Sequence, residues 1–287
     1  MDKQVLVERV AQWHKAMRLT ERARTAMSPP EKNMEKWDKI SRIYDEDLID
    51  DETRVNSVME FLSQKGALTG DTVAIDIGCG TGSFAIGLAK RCREAYAFDL
   101  SSGMLDVVSR KAGEMGLSNI ITVQGDWSSY DSFDPAITLA LASLNPGIDN
   151  FDSLDKMNKV SSGWCCFIGG AGGLVDPTWE ELRETVLGKA LKKSHESDVI
   201  FPFNIIYAMG LKPEILYIPY GWSRLITKKQ AVAAFVVDIG RFKDVDEDAM
   251  RTIEQYVDAR LDENGKYRQG ATATLGVMVW KAPNSLQ

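Results

Sequence analysis

Three carboxylates and three glycines are spaced along the first half of this chain in a way that could hold a nucleoside. Asp76 stands two residues ahead of a loop with glycine at alternate positions, Gly78, Gly80 and Gly82. Asp99 lies in the next apolar run, Ala95 to Leu100, and Asp126 follows a third, Ile120 to Gln124, within Gly125-Asp126-Trp127. A carboxylate at a strand end can accept both hydroxyls of a ribose, and glycines permit the φ > 0 angles of a sharp turn and a close approach of ligand to backbone. Cys79 sits inside the loop, where its contribution is expected through the backbone. Two other readings stand beside this one: a tight turn with no ligand, and a helix N-cap by Asp99 or Ser101, which is compatible with binding.

The elements that must position these residues are legible nearby. Val73 to Ile77 is apolar and partly β-branched apart from Asp76, as expected of a parallel strand covered on both faces. Phe84 to Ala89 has the apolar spacing of a helix packed on that strand, so the free N–H groups of its first turn face the glycine loop. Three acids at three consecutive strand ends put a nucleoside-type site at the carboxyl edge of a parallel sheet. The loop departs from the dinucleotide fingerprint G-x-G-x-x-G, which counts against NAD.

The pattern Asp76-x-Gly78-x-Gly80-x-Gly82 resembles motif I of class I S-adenosylmethionine-dependent methyltransferases, whose glycine loop holds the methionine end of the cofactor. The resemblance implies S-adenosyl-L-methionine as cofactor, with Asp99 chelating the ribose, Leu100 and Met104 flanking the adenine, and Asp126 bonding the adenine amine beside Gly125 and Trp127. It also implies a doubly wound, mostly parallel α/β sheet of seven strands in the order 3-2-1-4-5-7-6. A fourth strand, Ala136 to Leu141, ends in Ala142-Ser143-Leu144-Asn145-Pro146, where the family lines the space in which methyl donor and acceptor meet; Ala142 is taken as a cofactor contact. Asn145-Pro146 is similar to part of the Asn/Asp-Pro-Pro-aromatic motif of amino-group methyltransferases, but the second proline and the aromatic are missing, and a turn-forming role is the alternative. Met34 to Asp45 is similar to the segment that closes over the cofactor in small-molecule methyltransferases, which makes Tyr44 a candidate contact, with an aromatic core position as the alternative.

The chain has 287 residues, 44% hydrophobic and 26% charged, enough for one large α/β domain with additions. Its formal charge of −7 and the lack of a long basic stretch oppose a nucleic-acid partner. Lys189 to Lys193 with His195 reads instead as the basic end of a helix. No run of apolar residues is long enough to span a membrane, and the start, Met1-Asp2-Lys3-Gln4, lacks a leader pattern, so a cytoplasmic protein is expected. The cysteines form no C-x-x-C or Cys/His cluster, and Cys165-Cys166, adjacent on a strand, face opposite sides. A metal site is not expected.

Residues 1–70 read as an N-terminal helical cap, with an apolar stripe of Val5, Val7, Val10, Trp13 and Met17 that packs on the main domain or on a second subunit, so a homodimer is possible. Residues 71–287 read as the cofactor-binding domain. After Helix Ser153 to Val160 and a fifth strand, Trp164 to Gly170, come helices opening at Pro177 and Phe203, a strand from Pro213 to Tyr220, a helical insertion over about 227–262 and a closing strand, Ala271 to Trp280.

Methyl transfer from a sulfonium is an in-line displacement, catalysed by positioning and desolvation plus a base where the nucleophile arrives protonated. Neither a metal nor a covalent residue is required. Tyr207, Tyr217, Tyr220, Trp222 and Arg224 could form an acceptor pocket, against the plainer reading that they pack the added helices. A small-molecule acceptor is the leading expectation, with a protein or nucleic-acid methyltransferase and a catalytically inactive cofactor-binding protein as alternatives.

Overall fold

The computed structural model describes residues 8, 10–13, 15, 30–41, 51–130, 136–172, 176–188, 199–240 and 243–283. Tyr44, most of the expected first stripe (Val5, Val7, Met17), the turn at 133–135 and the basic stretch from Lys189 to His195 lie outside the described residues.

Helices α1 (Pro30–Ile40) and α2 (Asp51–Gln64) lead into an alternation of strand and helix. It runs β1 (Val73–Ile77), α3 (Ser83–Ala89), β2 (Glu94–Asp99), α4 (Ser102–Glu114), β3 (Ile120–Gln124), β4 (Ile137–Ser143), α5 (Phe151–Val160) and β5 (Ser161–Gly170). Helices α6 (Pro177–Leu187) and α7 (Ile200–Ala208) follow, then β6 (Glu214–Thr227), α8 (Lys228–Ile239), α9 (Glu247–Asp258) and β7 (Lys266–Lys281). The seven strands form one sheet in the order β3-β2-β1-β4-β5-β7-β6, as the resemblance implied. All pairings from β3 to β5 are parallel, and β7 runs antiparallel to both β5 and β6.

Parallel strands must be covered on both faces, and two hydrophobic clusters do this. One gathers Ile75, Ile77, Phe98, Phe167 and Trp280 with α5 and α7 residues. The other packs Val58, Met59 and Leu62 of α2 and Phe84 and Leu88 of α3 on Ala74, Leu139 and Leu141. Val10 is buried in the first cluster and Trp13 packs against it, so this part of the N-terminal stripe covers the main domain. A third cluster belongs to the insertion: Phe235, Ile253, Tyr256 and Val257 pack with Leu182 of α6 and with Ile226 and Tyr267 of the β6–β7 hairpin. Local signals set its helices. Pro177 follows the cap Asp176, Thr227 forms a capping box with Gln230, and Asp246 caps α9.

Order reverses between β1 and β4, so the chain leaves their carboxyl ends in opposite directions and opens a crevice there. The candidate site described below is built along that edge.

Candidate cofactor site

The turn after β1 is pinned to β2. Gly78 and Cys79 N–H groups donate to the Phe98 carbonyl at 2.7 and 3.0 Å, and Gly80 N–H donates to Asp99 Oδ2 at 2.9 Å. Gly78 (φ +69°) and Gly80 (φ +54°) both adopt left-handed angles, for different surroundings. A β-carbon on Gly78 would come within 2.5 Å of the Asn145 side chain, whereas one on Gly80 would meet no protein atom within 4 Å. Gly80 thus borders open cleft. Gly82 does not: it is the N-cap of α3, with Val108 2.8 Å from where its β-carbon would be, and it lines neither chamber described below.

Asp99 closes β2 with its carboxylate already organised. Oδ1 accepts from Ser101 N at 2.8 Å and Oδ2 from Gly80 N. Ser101, not Asp99, caps α4, accepting from Met104 N at 3.1 Å. Its hydroxyl donates to Asp38 Oδ1 at 2.5 Å, and the same oxygen accepts from Gly103 N at 3.0 Å, which docks α1 on the start of α4. Burial pushes the Asp99 carboxyl above its ordinary range, while the N–H groups of Ser101 and Gly80 pull it back. Beyond β3, Asp126 accepts from Ser128 N and Oγ, both at 2.9 Å, and Phe98 meets Trp127 and Tyr130 edge to face. Trp127 is buried and donates through Nε1 to the Ser153 carbonyl at 3.2 Å, so its ring is a fixed backing for the cleft.

These groups surround a cleft of about 340 Å³. Of the residues expected from sequence, Gly78, Gly80, Asp99, Leu100, Met104, Gly125, Asp126 and Trp127 line it. Asn33 and Trp37 of α1, and Ser143 to Gly147 after β4, complete the wall. A smaller chamber of about 70 Å³ shares Gly78, Gly80, Ser143 and Leu144 and adds Arg54, Asp76, Cys79, Thr81, Ser83, Phe84 and Tyr220. Cys79 borders only this chamber; burial, with Asp76 and Asp99 nearby, holds its thiol protonated, so it offers no nucleophile. Ala142 is fully buried between Ile77 and Phe167 and lines neither space. Ser143 and Leu144, the next residues, border both spaces where the strand ends.

Asp76 is 2% exposed, and its Oδ2 is a buried oxygen without a hydrogen-bond partner. Burial raises the carboxyl to about 7, opposed by the Ala85 N–H, raised further by Asp99 and lowered by Arg54. Leu144 holds φ +48°, unusual for a residue with a side chain. Asn145 locks this corner: Nδ2 donates to the Ile77 carbonyl at 2.9 Å and Oδ1 accepts from Gly147 N at 2.8 Å. The expected turn at Asn145-Pro146 is present, and its side chain also ties the β4 exit to the glycine loop.

The proposed aromatic acceptor wall is not assembled. Tyr207 and Tyr217 are 65% and 60% exposed, while Arg224 lies over the Trp222 ring and donates to Gln269. Of that set, only Tyr220 lines a chamber. Arg54 and Asn33 were not singled out from sequence, since no local pattern on a helix separates a ligand contact from a solvated polar group; Trp37 falls in the segment Met34 to Asp45 that the resemblance implied would close over the cofactor.

A doubly wound α/β protein with a nucleoside-sized cleft at its switch point is the class that fold and site define. Residues 74–157 match the family described as "Methyltransferase domain". An uncharacterised protein of Haemophilus influenzae is 33% identical over 119 residues, 42% of this chain and 43% of that one. A probable cobalt-precorrin-6B C(15)-methyltransferase of Methanocaldococcus jannaschii is 33% identical over 58 residues, 20% and 32% of the two chains. The YcgJ protein of Bacillus subtilis has a solved structure that is 16% identical, covers 79% of this chain and 98% of its own, and superposes with a TM-score of 0.47. Each match to the two curated relatives spans less than half of the relative's length. The match over residues 74–157 is to a methyltransferase domain, in keeping with the S-adenosylmethionine expected from the glycine-loop motif.

The residues present fit that cofactor. An unpartnered buried acid borders the small chamber, a glycine without protein neighbours borders both, and a strand-end carboxylate faces the larger cleft. Among the described residues no helix is long and apolar enough to cross a membrane.

Proposed function

We propose that this protein transfers a methyl group from S-adenosylmethionine to a small-molecule acceptor by in-line displacement. The observation that carries the reading is the two-part cleft, in which a nucleoside-sized space meets a small charged chamber along Gly78, Gly80, Ser143 and Leu144. Asp99 would take the ribose, Leu100 and Met104 would hold the base with Asp126, and the chamber would take the amino-acid end. Bound there, the cofactor supplies an electrophilic methyl group on a sulfonium.

The chain's own residues then orient and exclude water. Asn145 fixes the β4 exit against Gly78, so Ser143 and Leu144 form a rigid wall at the junction of the two spaces. Helix α1, docked through Asp38, places Asn33 and Trp37 along the cleft. Preorganisation of this kind is the main catalytic resource for a displacement that needs no covalent intermediate.

A small acceptor is supported by α1 lining the cleft and by the acidic balance of −7, which disfavours a polyanionic partner. The match to a corrin methyltransferase is in keeping with it, over a short segment. We place the protein in the cytoplasm on the same reading. Incubation with methyl-labelled cofactor and separate small-metabolite, protein and RNA fractions tests the proposal. Label should enter the metabolite fraction; label confined to protein or RNA would overturn the acceptor class.

A further inference from the structure

Helix α7, Ile200-Phe201-Pro202-Phe203-Asn204-Ile205-Ile206-Tyr207-Ala208, carries no charged residue on any face. Pro202, Ile205 and Ile206 are buried, Ile205 and Ile206 in the cluster that covers the sheet, which accounts for one face. The opposite face is Ile200, Phe203, Asn204 and Tyr207, at the i, i+3, i+4 and i+7 spacing of a stripe that packs on something. Yet Ile200 is 43% and Tyr207 65% exposed. The polar member is turned inward, with Asn204 Nδ2 donating to the Ile200 carbonyl at 2.7 Å, and the Phe203 and Tyr207 rings lie parallel with centroids 6.4 Å apart. A surface helix of a monomer shows water a polar face; α7 shows it an apolar one.

The bare surface continues onto β6. A β-carbon on Gly276 would touch both Val199 and Ile215, so these lie on one face of the sheet, and Tyr217, paired with Gly276, shares it. The other face of β6 is covered, with Leu216 and Ile218 packed in the cluster that holds the buried residues of α2. Tyr217 is 60% exposed, and Pro219 two residues on is exposed as well. Although β6 is the outermost strand, Pro219 lacks the N–H that an added strand would need, which blunts the sheet against edge-on growth. A partner must therefore come onto the face.

We propose that this face is the contact of a two-fold homodimer, in which the α7 stripes of two copies pack on one another with Tyr217 and Pro219 alongside. A second copy is the occupant because these residues carry no charge for a partner of opposite sign to recognise. Two chains of net charge −7 repel, and an uncharged face is where they meet at least cost. A two-fold contact also requires a patch complementary to itself, which an uncharged apolar stripe satisfies. Size agrees with this: the two tyrosines with Ile200, Phe203 and Pro219 offer on the order of 400 Å² of apolar surface, about half of the roughly 800 Å² that each partner of a stable dimer buries. Exposed Thr272 and Thr274, on the same face of β7, supply an uncharged polar rim.

Sedimentation equilibrium of the full chain tests this directly. Wild-type protein, 31.9 kDa as a single chain, should sediment as a dimer at about 10 μM. Tyr207→Glu combined with Tyr217→Glu puts like charges of both copies into the contact, and the dissociation constant should rise by at least about a hundredfold. Because both tyrosines are exposed, the circular dichroism of that variant should match wild type. Val237→Glu, at a 64% exposed apolar position on α8, should leave the dimer intact. If the glutamate pair fails to fold, Tyr207→Ser with Tyr217→Ser takes its place, with an expected rise of about tenfold. A wild-type monomer at about 100 μM, an undiminished dimer in the folded tyrosine variant, or a dimer broken by Val237→Glu instead overturns the proposal.

Discussion

The glycine-loop edge of the sheet and the lobe at its far end handle polar groups in opposite ways. At the edge, Asp76 keeps an orphan oxygen, Asp99 is buried at the mouth of a cleft, and Gly78, Gly80 and Leu144 hold left-handed backbone angles. In the lobe of α6, α8, α9 and the outer β6–β7 hairpin, charges are paired. Arg183 grips the buried Asp238 through two bonds, and Glu181 accepts from both Arg260 and Tyr256. Phe235 meets Trp179, Tyr256 and Tyr267 in one aromatic cluster, and the Tyr267 hydroxyl is the lobe's orphan among the described residues. Strain and unpaired charge gathered at one edge mark where a ligand completes the structure; the lobe pairs its buried charge and leaves only a neutral hydroxyl over among the described residues.

The sharpest way to break this contrast is to damage the lobe. Phe235→Ala should cost about 3 to 5 kcal/mol by opening a cavity among aromatic rings, while cofactor affinity of the folded protein stays within about twofold. Chemical denaturation paired with calorimetry reads both quantities. A parallel fall in affinity would show that the two regions are one cooperative unit.

Asp76 offers the converse experiment. Its carboxyl is raised from 3.8 to about 7 by burial, so the folded empty protein holds a proton that the unfolded chain releases. The resulting stabilisation is fully present below about pH 4 and is lost as pH climbs through about 7. Asp76→Asn should therefore flatten the decline over that window and leave the empty protein on the order of 2 to 3 kcal/mol more stable at pH 8 than wild type, while weakening the cofactor. Melting curves across pH, with and without S-adenosylhomocysteine, test it; an unaltered pH slope would remove Asp76 from the account.

Asp99→Ala should reduce cofactor affinity by about tenfold to a hundredfold through loss of charge-assisted bonds to the ribose. Because the same carboxylate also holds Gly80 N and Ser101 N, stability should fall by about 1 kcal/mol as well. If stability collapsed while affinity moved less than about fivefold, Asp99 would belong with the structural groups.

Gly80→Ala is the smallest perturbation. With no protein atom within 4 Å of the added carbon but φ at +54°, the expected cost is about 1 kcal/mol in stability, alongside at least about tenfold in affinity. Cys79→Ala, contributing by its backbone, should do much less. The reverse order, with the thiol mattering and the glycine not, would dissolve the assignment of the loop.

What was determined locally could be read from sequence. Val73 to Ile77, the alternate glycines, and the caps at Asp176, Thr227 and Asp246 are short-range patterns. Period, turn chemistry and capping act over a few residues, and the strand order followed from the family resemblance those patterns revealed. Asp76, Asp99 and Asp126 were visible for the same reason, since each stands at or just beyond the end of an apolar run.

Tertiary structure decided the rest. Arg54 joins the site because its partner Asp51 meets Ser83, 32 residues along the chain; Asn145 reaches the Ile77 carbonyl across 68, and Asp38 reaches Ser101 across 63. Nothing in the local pattern of an amphipathic helix tells which of its polar residues will be buried against a distant loop. Ala142 and Gly82 show the same limit from the other side. Both sit inside the motif, yet pack against Ile77 and Phe167 in one case and Val108 in the other, and border neither chamber. Local chemistry names the residues able to bind, and only the packing of remote segments determines which of them face the same cavity.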